Sequence, residues 1–300
     1  MKIVYFGNGV RGIKCLDTLL NNNLNVIAVI GHEGNSDVVD FAELNNIITY
    51  QPKNINNQEF VDVLEKLNAD LFVLSGYSRI LKSVVIDLPK FGCINLHGGK
   101  LPEYRGCAPI NWQIINGETT GGCCIIFVDK GIDTGDIITQ KTYEISNNDT
   151  SLDIVNKQLS FFPVMLLKAV KDIELGKVKA IVQDKAQGSY YTRRYPEDGL
   201  INWDTMTSNQ VYNLVRALVD PYPNAFTFYR TEKIKIRKVS MIEPPIVGTP
   251  GRMPFKRQNG VVICCKDKGI VVNEIAIGDN GEPIDPRGLF QIGDKCQNHL

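Results

Sequence analysis

Short apolar runs alternate with amphipathic stretches through the first half of the chain. Buried strands are predicted at the apolar runs over residues 2–6, 26–30, 47–50 and 71–75. Helices between them are predicted at residues 10–20, 36–46 and 57–68. Strands that alternate with helices favour an α/β fold, a doubly wound and mainly parallel Rossmann-like sheet.

The pattern changes in the second half of the chain. A long amphipathic stretch over residues 151–176 predicts a helix, and a segment rich in Tyr, Arg and Pro follows it. Beyond a helix predicted at 209–218, the remainder is β-rich, with strands predicted at residues 227–229, 234–239, 261–265 and 270–275. We therefore predict a catalytic domain at 1–187, a linker at 188–204 and a smaller β-rich C-terminal domain at 205–300.

Composition and charge fit an enzyme of the cytoplasm. The hydrophobic fraction of 43% over 300 residues is enough for substantial cores, and 33 basic residues balance 33 acidic ones. The first apolar stretch, Ile3 to Phe6, is too short for a signal peptide, and no apolar run is long enough to span a membrane. The eight cysteines lack the paired spacing of a zinc site, so we expect reduced thiols and no metal.

Asn95-Leu96-His97-Gly98-Gly99 is the first candidate for chemistry. It follows an apolar run that contains Phe91, Cys93 and Ile94, so His97 is expected where a buried strand ends. Asn95 lies two residues before the histidine and therefore points to the same face of that strand. Ligands of open α/β sheets bind at the carboxyl ends of the strands. A lone histidine in such a place is nevertheless more often structural than catalytic.

A second segment supplies carboxylates. Residues 125–128 predict a strand, 129–136 form a glycine-punctuated loop with three aspartates, and a strand pattern resumes at residue 137. A hairpin of this kind would bring a carboxylate of its tip to His97. A solvated Asp-Gly turn is the plainer interpretation of the same residues.

The two segments together resemble the formyltransferases that use N10-formyltetrahydrofolate. The resemblance rests on Asn95-Leu96-His97, Leu101 to Gly106, Asn111 to Glu118 and Asp133-Thr134-Gly135-Asp136. It continues through Ile201-Asn202-Trp203, Val215-Arg216-Ala217 and Pro221 to Phe226, so it covers most of the chain.

The resemblance implies an enzyme that transfers a formyl group from N10-formyltetrahydrofolate to an amine. It implies that His97 is the general base, that Asn95 donates to the developing oxyanion, and that Asp133 orients His97. These residue types suit the chemistry, because imidazole titrates near neutrality and a side-chain amide donates hydrogen bonds.

The resemblance also implies binding residues. On the folate side these are Arg79, Ile80, Leu81, Asp129, Lys130, Gly131, Ile132 and Asp133. On the amine side, a Gly-rich turn after the first strand would place Asn8, Gly9 and Arg11 at a diphosphate beside a helix N-terminus. Further substrate candidates are Tyr77, Lys100, Arg105 and Tyr222.

Two other functions compete with this hypothesis. Gly7-Asn8-Gly9-Val10-Arg11-Gly12 formally satisfies the dinucleotide fingerprint, which would indicate an NAD-dependent oxidoreductase. That class leaves Asn95, His97 and Asp133 unexplained. A folate-binding module without activity is the other alternative, and the complete set of three residues argues against it.

The acceptor amine is the finer question. Members of the resembled family formylate either nucleotide-linked amino sugars or methionyl-tRNA. No Lys or Arg occurs from Cys15 to Pro52, where the tRNA enzymes carry a longer basic loop. We therefore expect a TDP- or UDP-linked amino deoxysugar as partner, with a role in envelope glycans such as the lipopolysaccharide O-antigen. No nucleic acid or membrane partner is expected, and a homodimer is left open.

Overall fold

The computed structural model describes residues 1–278 and 281–299. In chain order its strands are β1 (Lys2–Gly7), β2 (Asn25–Ile30), β3 (Ile48–Tyr50), β4 (Leu71–Ser75), β5 (Cys93–His97), β6 (Arg105–Gly106), β7 (Thr120–Phe127), β8 (Ile137–Glu144), β9 (Tyr190–Tyr191), β10 (Ala225–Tyr229), β11 (Glu232–Ser240), β12 (Lys256–Arg257), β13 (Gly260–Cys264) and β14 (Gly269–Ile277). Its helices are α1 (Gly9–Asn21), α2 (Asp37–Leu44), α3 (Gln58–Leu67), α4 (Ser83–Ile86), α5 (Pro109–Ile115), α6 (Ser151–Glu174), α7 (Ser208–Ala217) and α8 (Pro286–Leu289).

The larger sheet has seven strands in the order β3-β2-β1-β4-β5-β7-β8. The pairs β1–β2, β2–β3, β1–β4 and β4–β5 are parallel, whereas β7 runs antiparallel to β5. The chain moves outward from β1 to β3 and then returns to the other side of β1. This reversal makes the carboxyl ends of β1 and β4 the switch point at which open α/β sheets bind ligands. The predicted Rossmann-like fold is confirmed.

Apolar strands and one face of each helix build the core of this sheet. The inward face of α1 buries Cys15, Leu16 and Leu19, which recur at the helical period. On the strands, the rings of Phe6 and Phe72 lie 5.2 Å apart with an interplanar angle of 57°, a geometry typical of buried aromatic pairs. Continuous apolar runs are what strands covered on both faces require.

The strand predicted from residue 125 begins earlier in the structure, because β7 starts at Thr120. Two glycines hide this start from a hydrophobicity pattern. A Cβ atom on Gly122 would lie 2.8 Å from the Cβ of Lys100, so the neighbouring segment packs directly against the glycine backbone. β8 likewise extends to Glu144, beyond the predicted apolar start at residue 137.

A two-stranded parallel pair, β6 and β9, joins the segment after β5 to residues 190–191. Gly106 has a φ angle of +94°, and a Cβ atom there would lie 2.3 Å from the carbonyl oxygen of Tyr191. Only glycine combines this backbone conformation with so close an approach. Beside it, the rings of Tyr104 and Tyr191 stack at 4.7 Å.

The β-rich C-terminal part forms a five-stranded antiparallel sheet in the order β10-β11-β14-β13-β12. Trp203 is fully buried, and its indole N–H donates to the Thr227 hydroxyl at 2.8 Å. The smaller β-rich domain predicted from the sequence is thereby confirmed as a fold. Residues 279, 280 and 300 of the predicted range lie outside the described residues.

The chain divides into two compact units that are interleaved in sequence. One comprises residues 1–106, 121–143 and 156–191, and the other comprises residues 107–120, 144–155 and the chain from Thr192 onward. The contiguous boundaries at 187 and 205 stay a prediction. All eight cysteines are unpaired thiols. Within the described residues, no helix combines the length and apolar character needed to cross a bilayer.

Candidate active site

The end of β5 presents two polar side chains on one face of the sheet. β5 is an inner strand, in which Asn95 lies opposite Leu74 of β4 and Ile126 of β7. Pairing on both sides fixes the backbone, and the two-residue spacing puts Asn95 and His97 on the same face. The Asn95 amide is partly buried and has no side-chain hydrogen bond to the described residues. It therefore remains able to donate to a ligand.

The His97 ring is hydrogen-bonded at one nitrogen and faces a carboxylate at the other. The side chain is buried, with Nε2 2.6 Å from the carbonyl oxygen of Tyr104 and Nδ1 3.5 Å from the Oδ2 atom of Asp133. Because a carbonyl oxygen can only accept a hydrogen bond, Nε2 must carry a proton. The lone pair of the neutral ring is then on Nδ1. A proton taken up there lies beside a carboxylate that favours the resulting cation.

Asp133 occupies the loop between β7 and β8 in an unusual backbone conformation. Its φ angle is +53°, in the left-handed region that costs a residue with a Cβ atom free energy. Its Oδ2 atom accepts a hydrogen bond of 2.9 Å from the backbone N–H of Gly106. The structure thus brings Asp133 to His97, as the hairpin predicted, and their catalytic roles stay a prediction.

The position of Arg105 corrects the expectation that it binds substrate. The side chain is fully buried. Its guanidinium donates to the Gln183 side chain at 3.0 and 3.2 Å, to the Gln187 carbonyl at 2.8 Å and to the Asp184 carbonyl at 3.2 Å. With no exposed surface, Arg105 organises the protein segments around Asp133 instead of meeting a ligand.

Asp129 shapes the first half of the same loop. Its carboxylate accepts hydrogen bonds from the Thr134 hydroxyl at 2.6 Å, the Gly131 N–H at 2.9 Å and the Lys185 ammonium at 2.8 Å. Partial burial alone would raise the pKa of Asp129, but the bonds from Lys185 and Thr134 outweigh it and lower the pKa. These contacts leave the neighbouring Ile132 side chain 54% exposed.

Of the predicted folate residues after β4, Arg79 and Leu81 are held by contacts with the protein, and Ile80 is exposed. The Arg79 guanidinium donates to the carbonyl oxygens of Pro52, at 2.7 Å, and Lys53. Leu81 is buried in the core, whereas Ile80 is 71% exposed. Of this group, Ile80 is the side chain presented to solvent.

Predicted amine-side residues follow both strands of the switch point, with Asn8, Gly9 and Arg11 after β1 and Tyr77 after β4. The backbone N–H of Asn8 donates to the Ser75 carbonyl at 3.2 Å, which ties the start of α1 to the end of β4. Gly9 has a φ angle of +65°, and the Arg11 guanidinium lies 5.2 Å from the centre of the Phe162 ring.

His32 and Tyr77 form a stacked pair at the switch point. Their rings are 4.7 Å apart with an interplanar angle of 2°. Burial, and secondarily the charge of Arg79, lowers the pKa of His32. Tyr77 is 7% exposed, and its buried hydroxyl has no hydrogen-bond partner among the described residues. A buried hydroxyl without a partner is a position that a ligand can satisfy.

The remaining substrate candidates are less informative. The Lys100 ammonium pairs with the Glu103 carboxylate at 2.9 Å, and both side chains are partly exposed. Tyr222 belongs to the second compact unit. Their roles stay predictions. Within the described part of the chain, no group of three or more His, Cys, Asp or Glu residues has the arrangement of a metal site.

Sequence reasoning missed three residues around this site, namely Tyr104, Gln183 and His32. Tyr104 contributes its backbone carbonyl, which no side-chain pattern reveals. Gln183 lies in irregular structure, and its contacts arise only from the tertiary fold. His32 lies just after β2, and its stacking on Tyr77 arises only from the tertiary fold.

Comparisons with known proteins identify the class. The formyl transferase family model matches residues 1–170, and the model of the formyl transferase C-terminal domain matches residues 194–291. A methionyl-tRNA formyltransferase of Acetivibrio thermocellus is 34% identical over 286 residues, which cover 92% of this chain and 91% of that protein. The bifunctional polymyxin resistance protein ArnA of Wigglesworthia glossinidia brevipalpis is 36% identical over 280 residues, covering 91% of this chain and 42% of that protein.

Solved structures agree on the fold. An N-formyltransferase of Helicobacter canadensis, crystallised with folinic acid and dTDP-3-aminofucose, superposes with a TM-score of 0.71 at 23% identity and covers 91% of this chain and 99% of that one. The sugar 3N-formyltransferase WlaRD gives a TM-score of 0.70 at 23% identity, covering 91% of this chain and 97% of that one. The chain belongs to the formyl transferase family and is an enzyme of that class. This assignment leaves the oxidoreductase hypothesis without support.

Proposed function

We propose that this formyltransferase transfers the formyl group of N10-formyltetrahydrofolate to the amine of a TDP- or UDP-linked amino deoxysugar. The supporting observation is the connection between β2 and α2, residues 31–36, which is short and contains Glu33 but no lysine or arginine. The first turn of α2 adds Asp37 and Asp40. A surface that grips tRNA needs cations opposite several phosphates. This connection and the first turn of α2 carry three carboxylates and no basic side chain, and the nearby Lys53 ammonium lies 3.9 Å from the Glu33 carboxylate.

Methionyl-tRNA formyltransferase is the second candidate. Several relatives at 30–34% identity carry that name, and residues 205–300 contain 13 Lys or Arg against 9 Asp or Glu. A relative that does not carry this name, the bifunctional polymyxin resistance protein ArnA, is similar to this chain at 36% identity, so sequence identity alone does not favour the tRNA acceptor. The neutral balance of the whole chain and its acidic segment after β2 favour the sugar nucleotide.

The donor is proposed to bind along the loops after β4 and β7. Bound there, N10-formyltetrahydrofolate supplies a formyl group on a nitrogen that can leave. Ile80 and Ile132 hold apolar side chains at 71% and 54% exposure, and Leu81 and Val128 anchor their two loops on one core cluster. Exposed apolar side chains on anchored loops suit a flat pterin. Lys130 and Gly131 lie beside this surface, and the Arg79 guanidinium is committed to backbone carbonyls.

The nucleotide sugar is proposed to bind at the switch point. Asn8, Gly9 and Arg11 would face its diphosphate at the N-terminus of α1, and Tyr77 would offer its unsatisfied hydroxyl. The Asn8 side chain makes no capping bond to this helix, which leaves its polar atoms for a ligand.

The chain's own residues divide the work of transfer. The Asn95 amide donates a hydrogen bond to the formyl oxygen, where negative charge develops. His97 accepts the proton of the attacking amine at Nδ1, while its Nε2–H stays bonded to the Tyr104 carbonyl. Asp133, 3.5 Å from Nδ1, stabilises the cation that results. The bond between the formyl carbon and the folate N10 would then break, and His97 would return its proton to that nitrogen as tetrahydrofolate leaves. The low exposure of His97 limits competition from water.

The cellular setting is part of the same proposal. A nucleotide sugar formylated in the cytoplasm would enter an envelope glycan, such as the lipopolysaccharide O-antigen. No contact with nucleic acid or membrane is required by this function. A homodimer stays an open expectation.

A competition assay tests the acceptor. The full chain would receive N10-formyltetrahydrofolate with TDP- and UDP-linked 3-amino and 4-amino deoxysugars, beside aminoacylated initiator tRNA. Formylated products are detected by mass, and His97→Ala is the control for enzyme-dependent transfer. We expect a formamide on one nucleotide sugar and an unmodified tRNA.

Formylation of the tRNA alone would reject the proposed acceptor and leave the reaction centre standing. If no product forms although folate binds, the chain would be a folate-binding module that does not transfer formyl groups to these amines. Both outcomes therefore count against the proposal in different ways.

A further inference from the structure

Gln183 joins the two segments that hold the reaction centre. Its side chain is 6% exposed. Its amide N–H₂ donates to the carbonyl oxygens of Asp133 at 3.0 Å and Gly135 at 2.6 Å, and its amide oxygen accepts from Arg105 Nε at 3.2 Å and Nη2 at 3.0 Å. One amide thereby uses both donors and its acceptor on groups that surround the catalytic carboxylate.

The first pair of bonds acts on the backbone of Asp133. That residue is held at a φ angle of +53°, which the chain would relax if nothing restrained it. The carbonyl groups on Asp133 and Gly135 both point at the Gln183 amide. Fixing these two carbonyls fixes the direction in which the Asp133 carboxylate leaves the loop.

The second pair of bonds, from Arg105 to the Gln183 amide oxygen, acts on the segment that contains Gly106. Arg105 is fully buried, and the next residue, Gly106, donates its backbone N–H to the Asp133 carboxylate at 2.9 Å. Holding the Arg105 guanidinium therefore holds the donor that orients the carboxylate. Gln183 reaches Asp133 by two routes, one through its carbonyl and one through its carboxylate.

We infer that Gln183 is a positioning residue for formyl transfer, which acts through Asp133 on His97. The inference rests on the proposed roles of His97 and Asp133. Gln183 does not face the reacting groups directly, because its described bonds all go to protein atoms. Its contribution is a fixed carboxylate, and a displacement of about 1 Å in such a group can cost 10²-fold in rate.

The chemistry demands an amide at this position. In Gln183→Glu the carboxylate can still accept from Arg105, but it has no donor for the carbonyls of Asp133 and Gly135. Two carbonyl oxygens would then face a negative charge in a buried site. Gln183→Ala removes all four bonds. Gln187→Ala is the matched control, because Gln187 is exposed and contacts Arg105 only through its backbone carbonyl.

The test is a double-mutant cycle with Asp133→Asn, using the acceptor that the competition assay identifies. Rates at saturation, KM for both substrates and the thermal unfolding midpoint are measured for each variant. We expect Gln183→Glu to lose about 10- to 100-fold in kcat with KM changed less than about threefold, and Gln187→Ala to match wild type. In the Asp133→Asn background, Gln183→Glu should cost almost nothing further.

Three outcomes are distinguishable. Near-normal kcat for Gln183→Glu and Gln183→Ala, with a slow Asp133→Asn, overturns this inference alone. Losses that multiply in the double variant show that Gln183 acts independently of Asp133, which also overturns it. Near-normal kcat for Asp133→Asn removes the proposed role of Asp133 itself. If Gln183→Glu lowers the unfolding midpoint below the assay temperature, the cycle is run with Gln183→Ala at a temperature where that variant is folded.

Discussion

The proposed reaction centre around His97 and the proposed acceptor site at the switch point, which contains Tyr77, differ in how their polar groups are bonded. Around His97, the ring Nε2, the Asp133 carboxylate and the Arg105 guanidinium are hydrogen-bonded to protein atoms, and Nδ1 lies 3.5 Å from the Asp133 carboxylate. At the switch point, the buried Tyr77 hydroxyl has no partner among the described residues. We expect a group that must keep one geometry to be bonded by the protein, and a group that binds a ligand to lack a protein partner. Asn95 lies beside His97 but also has no side-chain partner among the described residues, as its proposed role as a donor to the formyl oxygen requires.

The comparison predicts its largest effect at His97. His97→Ala removes the proposed base and should lower kcat by about 10²–10⁴-fold, because proton transfer from the amine then depends on water. Steady-state rates with saturating substrates check this, and the thermal unfolding midpoint verifies that the variant is folded. A folded His97→Ala enzyme with wild-type turnover would show that His97 and its hydrogen bonds have a structural role only.

The next largest effect is expected at Asn95. Asn95→Ala should lower kcat by about 10²–10³-fold, as loss of one oxyanion donor does elsewhere. Asn95→Asp is the matched control, since it keeps the size of the side chain but accepts instead of donating. Both variants should be slow with unchanged folate affinity. A fast Asn95→Asp enzyme would contradict the donor role.

At the switch point, a smaller effect on acceptor binding is expected from Tyr77. Tyr77→Phe should raise KM for the acceptor by about two- to tenfold with kcat unchanged, the range expected for one neutral hydrogen bond. Because the hydroxyl has no protein partner, the unfolding midpoint should not fall. A lowered midpoint with normal KM would assign the hydroxyl to the fold.

The smallest effect is expected at Asp129, which shapes the loop of Asp133 without touching His97. Asp129→Asn should change kcat by less than about tenfold, because its partner Lys185 is exposed.

The pKa of Asp129 lies below its ordinary value of 3.8, so the folded state favours the charged form. Its stabilisation is therefore complete above that ordinary value and is lost as pH falls through the lower folded value. The difference in unfolding midpoint between wild type and Asp129→Asn should be constant from about pH 7 to pH 5 and shrink in stronger acid.

Features that follow from local sequence patterns could be predicted, whereas features that depend on distant residues could not. The Asn95–His97 face follows from the period of a strand, and the doubly wound sheet follows from alternating apolar runs. Asp133 was reachable because its loop resembles a family pattern. Arg105 was a candidate for either substrate binding or a structural role, and the sequence could not decide between them, because its burial depends on carbonyls about 80 residues away.

Gln183 and Tyr104 lay beyond sequence reasoning for a related reason. A backbone carbonyl is present at every residue, so nothing distinguishes that of Tyr104 until the His97 ring is placed against it. Gln183 sits in a segment without regular periodicity, and only the fold shows that its amide meets Asp133. Contacts that the tertiary structure creates carry no local signal.

The proposed division of roles, with transfer at Asn95 and acceptor binding at Tyr77, is tested most directly by measuring kcat and acceptor KM for Asn95→Ala and Tyr77→Phe side by side. The account predicts that Asn95→Ala loses kcat at nearly constant KM, while Tyr77→Phe raises KM at nearly constant kcat. Two variants that change the same parameter to a similar extent would contradict it, because one region would then be performing both tasks.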